Sequence, residues 1–199
     1  MADLAATTGQ RGNASERETG ACAAAPSAQT QLAAVVYRHG APLEDILGAV
    51  RDRLVARGDL RLGGVVPRFG ERLSNGRSAL LLEDIARGDT IDISQDLGPG
   101  STGCILYADG LARLRVRVAE AIEAKPDILF LGRFGKEENA GRGIREEIGL
   151  AVSAGIPVLV AVEERIVPGW AGFAGDDYVP LPADADAIIA WVDTLPRSG

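Results

Sequence analysis

The chain has 199 residues, 46% of them hydrophobic and 25% charged, and a formal net charge of −7. That is the composition of a globular protein with enough chain to bury a real core, and its acidity argues against nucleic acid or an anionic membrane as the main partner. Two cysteines, Cys22 and Cys104, and the single histidine His39 have no metal-ligand spacing, so neither a disulfide framework nor a structural zinc site is expected.

Residues 1–30 are rich in Ala, Thr, Gly and Ser without periodicity and are expected to form a disordered tail. Residues 31–196 are expected to form a single α/β domain. The tail has no h-region, and the longest apolar run, IPVLVAV, is too short to span a bilayer, so a cytoplasmic protein is expected.

Order begins at LAAVVY (Leu32–Tyr37), a run typical of a strand buried on both faces. Pro42 suits the first position of a helix on which Leu43, Ile46, Leu47, Val50 and Leu54 share one face, and Gly58 supplies its stop. LRLGGVVPRF predicts a second strand. SALLLEDI and DTIDIS predict two short strands joined through Arg87-Gly88-Asp89 as a hairpin-like excursion. The glycine-rich stretch QDLGPGSTGCILYADG ends in Asp109, read as the N-cap of a helix carrying Leu111, Leu114, Val118 and Ile122. DILFL is a further buried strand. Ile144, Ile148, Ala151 and Val152 mark the next helix, which Gly155 ends; IPVLVAV is another strand, and Asp184–Leu195 a closing helix with Trp191 on its inner face. The alternation predicts a mostly parallel sheet flanked by helices, a Rossmann-like three-layer sandwich that binds ligands at its C-terminal strand ends.

Three connections carry chemistry. The first strand ends in Arg38-His39-Gly40, where His39 reads as a ligand contact or general base, or as an ordinary surface residue. The phosphate cradle G-x-x-x-x-G-K-[ST] occurs nowhere in the chain, and Pro42 removes a backbone donor, so Walker-type hydrolysis is not expected. LGPGSTGC reads either as a nest of N–H groups presenting Ser101, Thr102, Gly103 and Cys104 to an oxyanion, or as a surface turn. GRFGKEENAGRG, Gly132 to Gly143, packs four glycines, three basic residues and two adjacent acids behind a buried strand. There Arg133 and Lys136 face the crevice region, while Gly141 and Arg142 begin a helix whose N-terminus favours an anion. Glu137 and Glu138 are placed to hold Mg²⁺, to orient a water, or to pair with arginines. A solvated charged loop is the alternative.

On these residues the chain resembles an uncharacterised bacterial domain family often encoded beside molybdate-transport or molybdenum-cofactor genes. Its signature is a strand, Asn-Arg-Phe-Gly-Lys, an acid, a glycine-rich helix start and a Gly-x-Pro-Val-Leu strand. ILFLGRFGKEENAGRG and AGIPVLVAV carry it here, with Gly132 in place of the asparagine; TGCILYADGLARL and LAAVVY match further blocks, over about Leu32 to Leu195. More remotely, the layout is similar to small P-loop nucleoside-triphosphatases, with Gly132-Arg133 where those have Asp-Glu and Glu138 on their last glutamate. The resemblance implies a P-loop-like fold lacking a Walker A motif. It also implies a small anionic ligand, molybdate or a molybdenum-cofactor species, without standard NTP hydrolysis; a homo-oligomer or a protein partner in molybdenum handling stays open. Two rival readings are a divergent nucleoside-triphosphatase using Lys136, Glu138 and Mg²⁺ with nucleotide, and an interaction module presenting Trp170, Phe173 and Tyr178 as an exposed aromatic patch.

Overall fold

The structure is a computed structural model that describes residues 31–102 and 106–196, apart from the side chain of Phe69. The expected tail, and Gly103 and Cys104 of the glycine-rich stretch, lie outside the described residues. In chain order the elements are β1 (Leu32–Tyr37), α1 (Leu43–Arg57), β2 (Leu62–Arg72), β3 (Ser78–Asp84), β4 (Thr90–Asp92), α2 (Ala108–Glu123), β5 (Ile128–Phe134), α3 (Lys136–Asn139), α4 (Arg145–Ser153), β6 (Val158–Glu163), α5 (Val167–Ala174), β7 (Val179–Pro182) and α6 (Ala185–Val192).

All seven strands share one sheet in the order β4-β3-β2-β5-β6-β1-β7. Pairings among β2, β5, β6, β1 and β7 are parallel, whereas β3 and β4 add antiparallel beside β2. This is an α/β fold with a mostly parallel, mixed sheet flanked by helices, compatible with a P-loop-like fold. Helices α1 and α6 cover one face, packing Leu47, Val50, Leu54, Ile188 and Trp191 against Val35, Phe130 and Leu159. Helices α2, α4 and α5 cover the other, packing Leu114, Val118, Ile148 and Trp170 against Leu129, Leu131 and Val160. A strand covered on both faces must be apolar throughout, and every residue of β6 is buried.

Several boundaries differ from the sequence expectation for identifiable reasons. Helix α2 starts at Ala108, because the Tyr107 amide bonds the Ile93 carbonyl while the Tyr107 carbonyl accepts from Leu111; Asp109 therefore falls inside the first turn. Strand β5 runs three residues past DILFL. Gly132 adopts φ +61°, the β5–β6 register shifts between Phe130 and Arg133, and pairing resumes through Phe134. Arg133 and Phe134 are thus strand residues, not loop.

The aromatic stretch is not an exposed patch built on Trp170. That side chain is fully buried, edge-on to Phe134 with centroids 5.0 Å apart and to Tyr178 at 5.7 Å, while Phe173 and Tyr178 are half-buried around it. Just beyond, VPLP forms β7, with Ala34 opposite Pro180 and Val36 opposite Pro182. Prolines are tolerated there because β7 is an edge strand. No helix among the described residues is long and apolar enough to cross a membrane.

Candidate functional site

The C-terminal ends of β5, β6 and β1 lie side by side. The connection leaving β1 crosses one face of the sheet and that leaving β6 the other, which opens a crevice of the kind where α/β sheets bind ligands. The basic residues expected here are present, and most are already paired. Arg133 donates to Glu44 in the first turn of α1, and its guanidinium carbon lies 5.9 Å from the centre of the Tyr37 ring. The Arg133 Nε is buried with no hydrogen-bond partner. Burial pushes the Tyr37 hydroxyl above its ordinary pKa, with the Arg133 charge opposing.

Arg38 Nε stands 3.6 Å from Glu164 Oε2, both side chains exposed. His39 Nδ1 is 3.4 Å from Glu163 Oε1, and Arg165 binds the same carboxylate at 2.7 Å and 2.9 Å. Gly40 turns the chain at φ +82° with open space around it. Glu44, Glu163, Glu164 and Arg165 were not singled out in the sequence. Glu44 did carry a signal, as an acid in the helix turn directly behind a strand end.

The connection after β5 is built around Glu138, which is 7% exposed. Its Oε2 accepts from the Gly135 amide at 2.8 Å and its Oε1 from the Ile144 amide at 3.1 Å, so one carboxylate ties the N-cap of α3 to the N-cap of α4. Arg145 lies over the Phe173 ring at 4.4 Å and donates to the Glu138 carbonyl. A Cβ at Gly143, which has φ +63°, would overlap Glu138 Oε1. Each Glu138 oxygen thus accepts from a backbone amide in this arrangement. Among the described residues no three His, Cys, Asp or Glu side chains gather as metal ligands.

Gly141 and Arg142 also differ from expectation. Helix α4 begins at Arg145, three residues later than Arg142. The Gly141 amide bonds the Glu138 carbonyl, and Arg142 grips Glu137 with two hydrogen bonds of 2.8 Å and 3.2 Å. That grip holds the Glu137 carboxyl below the usual carboxylate range and raises the Arg142 guanidinium. Lys136 differs from them all: it is exposed and has no ionic partner among the described residues.

The other glycine-rich connection docks elsewhere. Asp96 accepts from the Ser74 amide at 2.9 Å, the Ser74 hydroxyl at 2.5 Å and the Gly98 amide at 3.0 Å. These bonds tie it to the turn between β2 and β3 and hold its carboxyl below the usual range. The Ser101 amide closes a turn onto the Gly98 carbonyl, so it is not free for a nest, and Thr102 is exposed.

Between β3, α2 and the β5–α4 connection lies a cavity of about 440 Å³. Arg133, Gly135 and Lys136 form part of its wall, and Leu106, where description of the chain resumes, forms another part. The structure thus brings Arg133 and Lys136 together. It sets Arg38 and His39 across the crevice beyond Tyr37, and the described wall residues include neither Ser101 nor Thr102.

The molybdenum import ATP-binding protein ModC 2 of Bradyrhizobium diazoefficiens is 38% identical over 161 residues, which cover 81% of this chain and 18% of that protein. This chain therefore corresponds to less than a fifth of its relative's length. No solved structure matches. Residues 32–191, almost all of the sheet and its helices, match the family described as "Protein of unknown function (DUF2478)", and the chain belongs to that family.

Proposed function

We propose that this chain is a P-loop-like domain that binds a small anionic ligand at the C-terminal end of β5, in molybdenum metabolism, without Walker-type NTP hydrolysis. The observation that carries this reading is Lys136, a cation with no ionic partner among the described residues, beside Arg133 in the wall of a cavity. In a chain of net charge −7 an anion needs a local positive site, and two adjacent cations supply one. Arg133 already holds Glu44, so an incoming oxyanion would take that carboxylate's place. Similarity to a molybdenum import ATP-binding protein supports molybdate or a molybdenum-cofactor species as the ligand class. Against hydrolysis stand the missing G-x-x-x-x-G-K-[ST] cradle, Pro42 behind β1, and the commitment of both Glu138 oxygens to backbone amides.

A thermal-shift panel of molybdate, tungstate, sulfate, phosphate, Mg-ATP and Mg-GTP tests this. A ligand at a hundredfold excess over its Kd stabilises the fold by about 2.7 kcal/mol. We expect at least one anion to raise Tm and Lys136→Ala to abolish the shift. A shift that survives Lys136→Ala removes the site, and steady phosphate release from Mg-ATP removes the non-hydrolytic part.

A further inference from the structure

The cavity behind Arg133 and Lys136 is larger and more apolar than a bare oxyanion requires. Its volume, about 440 Å³, lies in the range of sites for small organic ligands, roughly 300–1,000 Å³. Leu80 of β3, Leu106, and Leu111 of α2 are half-buried, pack against the same core cluster and line this space. Leucine side chains facing a void lose the dispersion contacts that a packed interior gives them, and a filling apolar group restores those contacts. A tetrahedral dianion set among the leucines would give up its hydration for methyl groups and gain no hydrogen bonds. Lys136 and Arg133 are the cations on the β5 side, Arg133 holding Glu44, and Arg68 and Arg77 line the β2–β3 side, Arg68 held by Glu83. Of the wall's other acids, Glu137 is held by Arg142 and Glu138 by backbone amides.

Resting on the anion-binding reading above, we infer that the ligand of this cavity is an organic phosphate, with an apolar body against the leucines and a terminal phosphate on Lys136 and Arg133. A guanidinium fork beside a mobile ammonium suits the several oxygens of a phosphate better than a single carboxylate. The phosphate displaces Glu44 from Arg133. Glu44 keeps a favourable place without that partner, because it sits in the first turn of α1, at the positive end of the helix dipole.

Isothermal titration of the full chain with 1-naphthyl phosphate, inorganic phosphate and 1-naphthol tests the inference, in the unmodified protein and in Lys136→Ala and Leu111→Trp. Leu80→Phe replaces Leu111→Trp should that variant lose its circular-dichroism signature. We expect 1-naphthyl phosphate to bind at least tenfold more tightly than either fragment, a difference of about 1.4 kcal/mol. Lys136→Ala should weaken it at least tenfold. The bulky substitution in the leucine wall should drive the ratio between naphthyl phosphate and inorganic phosphate toward one. Equal affinity for naphthyl phosphate and inorganic phosphate, with both sensitive to Lys136→Ala, overturns the organic ligand and leaves the anion site standing. Naphthol binding as tightly as its phosphate, indifference to Lys136→Ala, or no binding of any probe overturns both.

Discussion

Glu138 and Asp96 each organise a glycine-rich connection by accepting backbone amides, yet Glu138 is 7% exposed and Asp96 lies on the surface. Glu138 joins Gly135 to Ile144 across α3, and Asp96 joins Gly98 to Ser74 across the sheet edge. The hydrogen-bond chemistry is nearly the same in the two places. What separates them is the fate of the donors if the acceptor is removed: at the surface water replaces the carboxylate, whereas in the interior the amides are left unsatisfied. Burial therefore converts a local turn device into a structural clamp, and the clamp holds the Gly135 turn from which Lys136 starts α3.

The largest test of this contrast is Glu138→Ala. Two amides lose their acceptor at about 1–3 kcal/mol each, so a loss of about 3 kcal/mol and a drop in Tm of roughly 6–12 °C are expected in thermal unfolding. A Tm unchanged within scatter would mean that water reaches those amides and would collapse the comparison. Gly143→Ala comes next, at about 2 kcal/mol, since a side chain at φ +63° is strained and also overlaps Glu138 Oε1. Combined with Glu138→Ala its cost should be less than additive, because the carboxylate that blocks it is gone; strict additivity would show that backbone strain alone is responsible.

Smaller is Glu137→Gln, which breaks the rim pair with Arg142 and should cost under about 1 kcal/mol. Its signature lies in pH. The folded-state pKa of Glu137 is depressed, so its contribution is present above the ordinary carboxylate value of 4.5 and is lost as pH falls through the folded value. The Tm difference between Glu137→Gln and the unmodified protein should therefore vanish in acid. Asp96→Asn is expected to change Tm least at neutral pH, with the same acid sign. A drop as large as that of Glu138→Ala would show that exposure does not decide the worth of such a carboxylate.

Much of the sheet was legible because strands covered on both faces leave unbroken apolar runs: LAAVVY, DILFL and IPVLVAV all appear as parallel strands. Helix α1 was legible from its apolar face and from Gly58, whose amide bonds the Leu54 carbonyl from a left-handed cap. The closing helix was read from Asp184 to Leu195; Asp184 is its N-cap, accepting from the Ala187 amide, and the helix ends at Val192. The remainder depended on tertiary context. Helix α5 contains Gly169 and Gly172, poor helix formers, and is held by the burial of Trp170. Strand β7 hides behind two prolines.

Within the candidate site, the closeness of Arg133 and Lys136 at the end of a buried strand could be read, although Arg133 belongs to the strand itself. Glu138 as a buried amide acceptor could not, because a run of charge ordinarily faces solvent. The leucine wall also lay beyond local pattern, since Leu80 and Leu111 come from elements that only the folded sheet brings together.

The prolines of β7 have a consequence for how this fold behaves near other chains. Val179 and Leu181 alternate with Pro180 and Pro182, and the strand leans on β1 along one side only. Proline cannot donate, so the amides that reach β1 belong to Val179 and Leu181, and the outward positions at 180 and 182 offer carbonyls alone. A wandering strand from a neighbouring molecule finds no matching donors at those positions. The sheet is thereby protected on this side against templated edge growth, which otherwise threatens any α/β protein that stops at an open strand.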